Sequence, residues 1–363
     1  MPFRFPWFAA LLAISALTLG ASYEYATEPR RFQFPRDHAS HPEYRVEWWY
    51  YTGNVSAGRR EFGYQLTFFR VGIDPAWRVS ESAWAPHDVL FAHWALSDAS
   101  GPRFRFHEQI ARPALGMAGA DTAAYRVWID DWSAALAPDE RTHRLHARAE
   151  DMALDLALVP EKPPVIHGAD GLSHKSAVRG NASHYYSLSR LATTGWIRAG
   201  AESLNVSGES WMDHEFSTSQ LDSSQVGWDW LSLQLDSDEE LMLYQLRRRD
   251  GSIEPLSSGT WVASDGRGAF LPRSAFAIEP TGQWKSLASG AVYPHGWKVR
   301  VPSRGVDLTV TPLLDDQELR SRTMGGVIYW EGAVRIAGTR RGAPVSGKGY
   351  VELTGYAGRA PGL

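Results

Sequence analysis

Glu61-Phe62-Gly63-Tyr64-Gln65-Leu66-Thr67-Phe68 places Phe62, Tyr64, Leu66 and Phe68 on one side of an extended chain and smaller or polar residues on the other. Alternation with a period of two describes a strand with one buried face. Met152, Leu154, Leu156 and Leu158, set against Ala153, Asp155 and Ala157, repeat the pattern. Further strands are expected over 46–55, 90–97, 125–129, 185–191, 228–235, 241–247, 328–336 and 349–356, with loops over 116–121, 160–180 and 266–272. Helical periodicity is scarce. With 33 glycines and 21 prolines punctuating short strands, the expected class is all-β, an antiparallel barrel or sandwich rather than an α/β fold.

Composition narrows the functions. A chain of 363 residues is long enough for about two domains. The formal charge of −4 leaves no basic surplus for phosphates, so no nucleic-acid partner is expected. The absence of cysteine excludes disulfides, thiolate zinc sites and thiol catalysis. Sixteen tryptophans, by contrast, are a heavy load of rings that bury large areas while keeping a polar edge. Arg4 precedes an apolar run from Phe5 to Leu19, and Gly20-Ala21-Ser22 then offers small residues for cleavage. A signal peptide over 1–22 and an exported, periplasmic or secreted protein are expected, the alternative being a retained N-terminal anchor. Beyond it no second stretch is long and apolar enough for an integral membrane domain.

Sliding the chain by 180 positions lays Val46, Trp48 and Tyr50 on Val226, Trp228 and Trp230, and Tyr64-Gln65-Leu66 on Tyr244-Gln245-Leu246. Two related β-domains follow, expected over 37–217 and 225–358, with a polar boundary near 216–224.

Several chemistries lack their spacing. Gly208-Glu209-Ser210-Trp211-Met212 has no second glycine for a nucleophile elbow, and no phosphate-binding glycine loop is present. The 12 histidines show no ligand pair on one element, so neither a metal nor another cofactor is expected. The densest polar string is Gly208 to Phe216. As a strand it sends Trp211, Asp213 and Glu215 to one side and Met212, His214 and Phe216 to the other. Two carboxylates beside an indole could form an acid site, because burial and like charge keep a carboxyl protonated near neutral pH; the alternative is a polar turn. In Gly227 to Leu235, Asp229 shares a face with Leu231, Leu233 and Leu235. It is either a buried proton donor or the partner of an arginine. Glu47 to Asn54 carries rings on both faces, as suits a wall between a barrel interior and a covering layer. Tyr329-Trp330-Glu331 and Tyr350-Val351-Glu352 set further acids beside rings, and together these strings suggest an elongated apolar cavity with a few acids set into it.

Glu47 to Asn54, Tyr64 to Arg70, Asn181 to Ser187, Ser210 to Phe216, Gly227 to Trp230 and Tyr329 to Gly332 resemble strings of the carotenoid 1,2-hydratase and AttH-like proteins. The resemblance spans roughly 37 to 356 and implies two lipocalin-like β-domains in tandem. It also implies an apolar isoprenoid, polyene or lipid-like ligand, and a hydro-lyase in which a neutral carboxylic acid protonates an alkene and water adds to the cation. On this reading Asp213 is the first choice of acid and Asp229 the second, with His214 and Glu215 beside them. Trp48, Tyr50, Trp211, Trp228, Trp230, Tyr244, Trp330 and Glu331 would contact the ligand, and Tyr185 or His184 would hold the water. The alternatives are a non-catalytic periplasmic carrier working with an ABC transporter, since export sits poorly with pigment synthesis, and a secreted hydrolase using Ser210.

Overall fold

The computed structural model describes residues 22–73, 87–101, 103–169, 171–219, 221–323 and 326–358. The N-terminal run read as a signal peptide lies outside them. The fold is all-β and lipocalin-like, with short 3-10 turns as the helical elements among the described residues. No helix of the described residues is long and apolar enough to cross a membrane.

Two large antiparallel sheets account for nearly all the strands. The first runs from Val46–Ala57 to Glu202–Ser217, and the second from Gln225–Leu235 to Ala343–Leu353. In the first, the neighbours along the hydrogen-bonded path are Asp88–Asp98, Arg60–Gly72, Val46–Ala57, Glu202–Ser217 and Ala182–Ala199. In the second the corresponding path is Glu240–Arg248, Gln225–Leu235, Ala343–Leu353 and Ile328–Arg340. Each sheet curls around its own core. Trp49, Tyr51, Trp94 and Trp132 fill the first, and Trp261, Trp297 and Trp330 fill the second.

The apolar cavity expected in or between the domains lies between them, while the barrel interiors hold these ring-rich cores. Several expected loops also carry strand, namely Ala118–Ala120, Val165–Ile166, Ser173–His174 and Gly268–Pro272. Their runs are too short for alternation to show.

Period-two geometry gives every central strand a second, outward face, and these faces meet. Outside the first barrel stand Trp48, Tyr50, Tyr185, Trp211 and Asp213, and outside the second stand Trp228, Trp230, Tyr244, Glu331 and Tyr350. The sequence offset holds for the first strand of each barrel and fails for the second. Trp48 stands opposite Phe69, and Trp228 opposite Leu246, so Phe69 rather than Leu66 is the counterpart of Leu246. A slip of odd length turns a strand over, and Tyr64 accordingly points into its barrel while Tyr244 points out.

Buried polar contacts lock the two barrels together. Glu240 of the second accepts from Lys162 Nζ at 2.7 Å and from Arg190 Nε at 2.7 Å. Gln234 Nε2 donates to the carbonyls of Ser189 and Ser210 at 2.8 and 3.0 Å. At Gly63 the approach is so close that a Cβ would lie 2.4 Å from that of Ala333. Any larger residue there would push the barrels apart.

Candidate functional site

The outward faces do not close completely. They leave a cleft of about 80 Å³, room for a handful of waters or a small part of a ligand. Its floor is built from two transverse rows. Strand register aligns Thr67, Tyr50, Asp213 and Ser187 across the first sheet, and Tyr244, Trp230, Glu352 and Glu331 across the second. Tyr50 and Trp230 meet edge to face between the rows, with ring centroids 5.2 Å apart. Trp48, Phe69, Trp228 and Leu246 continue the apolar walls.

Asp213 is the best-supported acid. It is buried beneath three donors: Tyr185 OH at 2.6 Å, Trp211 Nε1 at 2.5 Å, and Ser187 Oγ. Burial raises its pKa, and the nearby Glu215 charge adds to this, while the three donors favour the carboxylate. The balance stands at about 7, so both protonation states are populated near neutral pH. Trp230 Nε1 in turn donates to Tyr185 OH at 3.1 Å, which ties the second barrel to the same acid.

Behind Asp213 runs a chain of donors. Thr260 Oγ1 lies 2.8 Å from His167 Nδ1, and His167 Nε2 lies 2.6 Å from Ser187 Oγ. Because Ser187 donates to Asp213, it accepts from Nε2, and Nδ1 accepts from Thr260. Burial, reinforced by the Lys175 charge, lowers His167 to about 3 and keeps it neutral, as this arrangement needs.

Glu215 lines the cleft as an ion pair rather than a free acid. Lys175 Nζ lies 2.9 Å from Glu215 Oε1, and Ser183 Oγ donates to the same oxygen. The ammonium stands 4.5 Å from the Tyr244 ring centroid and 5.3 Å from that of Tyr185. Glu331 and Glu352 face each other on neighbouring strands. Burial, and then the charge of Glu352, push Glu331 well above the carboxylate range, and burial with the charges of Asp213 and Glu215 lifts Glu352 to about 7.

Other expected site residues lie apart from the cleft. Asp229 faces the second barrel's interior side, where it accepts from Arg247 Nε at 3.0 Å, Gln245 Nε2 at 2.9 Å and Tyr356 OH at 2.9 Å. The arginine-partner alternative describes it, and the role of second proton donor does not fit this position. His214 lies on the first barrel's inner face, its Nε2 2.8 Å from Glu47 Oε1. His184 packs against Phe216 and Tyr44, and Trp330 belongs to the second core. All three point away from the cleft because each is an odd number of residues from a cleft-facing neighbour. Trp211 reaches the site through Asp213 and its ring contact with Trp230. Ser210 is fully buried, bonded to Tyr64 OH at 2.6 Å and Thr193 Oγ1 at 2.7 Å, with no histidine among these partners. That is a packing role, not an activated nucleophile.

Lys175, Ser187 and His167 went unassigned in the sequence, and Glu352 was read there as an acid beside rings but not named as a site residue. Parity with Tyr185 and Tyr350 could have found Ser187 and Glu352. Lys175 and His167 come from an irregular segment where alternation carries no signal.

His41, Glu47 and His214 bring ligand-type atoms within 4.8 Å of one another. They belong to an ion network in which Arg70 Nε donates to Glu47 at 3.0 Å and His41 bridges Asp37 at 3.1 Å and Glu47 at 3.0 Å. Burial alone would raise Glu47, but Arg70 and the two histidines hold it well below the carboxylate range. Asp37, Glu47 and Asp88 against Arg30, Arg70 and a protonated His41 balance without a metal, and a cation there would be repelled by Arg70.

The AttH-like family model matches residues 25–356. A crystal structure of an AttH protein from Nitrosomonas europaea is 35% identical, covers 90% of this chain and 97% of that one, and superposes with a TM-score of 0.81. Kievitone hydratase from Nectria haematococca shares the fold at 13% identity and a TM-score of 0.69, covering 93% of this chain and 97% of its own. CghA does so at 12% and 0.55, with the same coverage. No curated protein matches the chain.

Proposed function

Since the chain belongs to the AttH-like family, we propose that the cleft between its barrels binds an apolar molecule carrying an alkene and hydrates it. The observation that carries this reading is Asp213, a buried carboxyl open to a ring-lined cleft and poised near neutrality. One structural relative is named a hydratase, which is consistent with the proposal.

In the first step the Asp213 carboxyl transfers its proton to one alkene carbon, and the π pair forms the new C–H bond. The positive charge left on the other carbon is shielded by the ring faces that line the cleft, Trp230 and Tyr50 among them. Water then adds its oxygen lone pair to that carbon and returns a proton to the carboxylate, so the net change is alkene plus water to alcohol. Tyr185, Trp211 and Ser187 support the transient carboxylate with hydrogen bonds.

Incubation with open-chain polyenes and isoprenoids in isotopically labelled water tests this. Product must carry one labelled oxygen, and Asp213→Asn must abolish its formation. A carrier reading rests on the same apolar walls, and it predicts that bound molecules come off unchanged in mass.

A further inference from the structure

The charges around the cleft do not balance evenly. Lys175 is matched by Glu215, and Asp213 is held by three donors. The Glu331–Glu352 pair has no cation beside it among the described residues. The groups facing it are Tyr50, Tyr329, Tyr350, Asp213 and Glu215, all acidic or neutral, with Lys175 already committed to Glu215. Glu331 is 2% exposed and has the Tyr50 and Tyr329 hydroxyls beside its carboxyl, yet neither its Oε1 nor the Tyr50 hydroxyl makes a hydrogen bond of good geometry. A buried carboxyl oxygen without a well-aligned partner costs free energy unless something else satisfies it.

Beside this pair the same sheet presents ring faces. Register puts Trp230 next to Glu352, and Tyr244 next to Trp230. The Lys175 ammonium lying over Tyr244 shows that this wall accommodates a positive charge. Two neighbouring carboxyls that keep one proton between them carry one negative charge, which matches one positive charge on a ligand. From this juxtaposition of an uncompensated acid pair with Trp228, Trp230 and Tyr244, we infer that the cleft binds organic monocations, an ammonium borne on an apolar body.

The inference goes beyond hydration and stands without it, because a carrier with no chemistry would show the same preference. Where hydration does occur, the ammonium occupies the cleft as a stable counterpart of the transient carbocation. An ammonium entering the site favours the pair with one proton over the pair with two, so binding at neutral pH releases a fraction of a proton to buffer.

Calorimetric titration of the full chain at neutral pH compares choline with its uncharged carbon isostere, in which a tert-butyl group replaces trimethylammonium. Choline is expected to bind about tenfold more tightly, with an enthalpy that changes with the buffer's ionisation enthalpy. In a Glu331→Gln, Glu352→Gln variant the two probes should bind alike. That variant removes two repelling acids, and its thermal transition reports whether it folds. Equal binding of the two probes by the wild type would overturn the inference, as would an undiminished preference in the folded variant. Neither result depends on whether the protein adds water to any alkene.

Discussion

Asp213 and Asp229 are both aspartates in aromatic strands that follow one another in the sequence, and parity sends them to opposite environments. Asp213 meets neutral donors and rises to about 7, whereas Asp229 meets the Arg247 guanidinium. Asp213→Asn is therefore expected to lower turnover by about 100-fold or more while the barrels stay folded. The acid works in its neutral form, so wild-type kcat/KM should fall as pH rises through about 7. Removing a donor to the carboxylate favours the neutral form, so Ser187→Ala should move that falling limb to higher pH. A pH–rate series on the wild type and on Ser187→Ala checks this shift. Asp229→Asn should behave in the reverse way, keeping activity while losing roughly 1–3 kcal/mol in denaturant unfolding, because Arg247 is left without its partner.

At the scale of elements, the central strands work through two faces. Trp49 and Tyr51 build a core, while Trp48 and Tyr50 from the same strand build the cleft. This much was legible in the sequence, because a strand apolar on both faces needs a neighbour on each side. The split of Trp211, Asp213 and Glu215 from Met212, His214 and Phe216 was equally legible. What alternation could not supply was the layer opposite. It did not show that barrel interiors fill with Trp94, Trp132 and Trp297, or that a lysine from 160–180 reaches Glu215. The contact elements are testable too. Glu240→Ala leaves Lys162 buried without a counter-charge, while Arg190 keeps its pair with Glu209, and should cost about 3–5 kcal/mol in chemical denaturation. Gly63→Val, which wedges against Ala333, should weaken ligand binding while near-UV spectra of the separate cores stay in place.

The whole molecule encloses its acids at the seam between two solid barrels, and this shapes its pH dependence. Asp213, Glu331 and Glu352 all have folded pKa values raised above their unfolded ones, chiefly by burial. Their neutral forms are accommodated at low pH, and stability is lost as pH rises through the folded values. Buried histidines such as His143 and His167, lowered to about 3, add stability as pH rises toward their unfolded value, so the share of the acids shows as a difference: the melting temperature of Asp213→Asn relative to the wild type should increase from pH 5 to pH 8. The central claim is that the seam holds an alkene which Asp213 protonates. Native mass spectrometry of the wild type and of Asp213→Asn, each purified from cells where the protein is native, addresses it directly. The account predicts that the variant retains an apolar molecule whose mass, in the wild-type sample, is greater by one water. The same molecule leaving both proteins at an identical mass would contradict it.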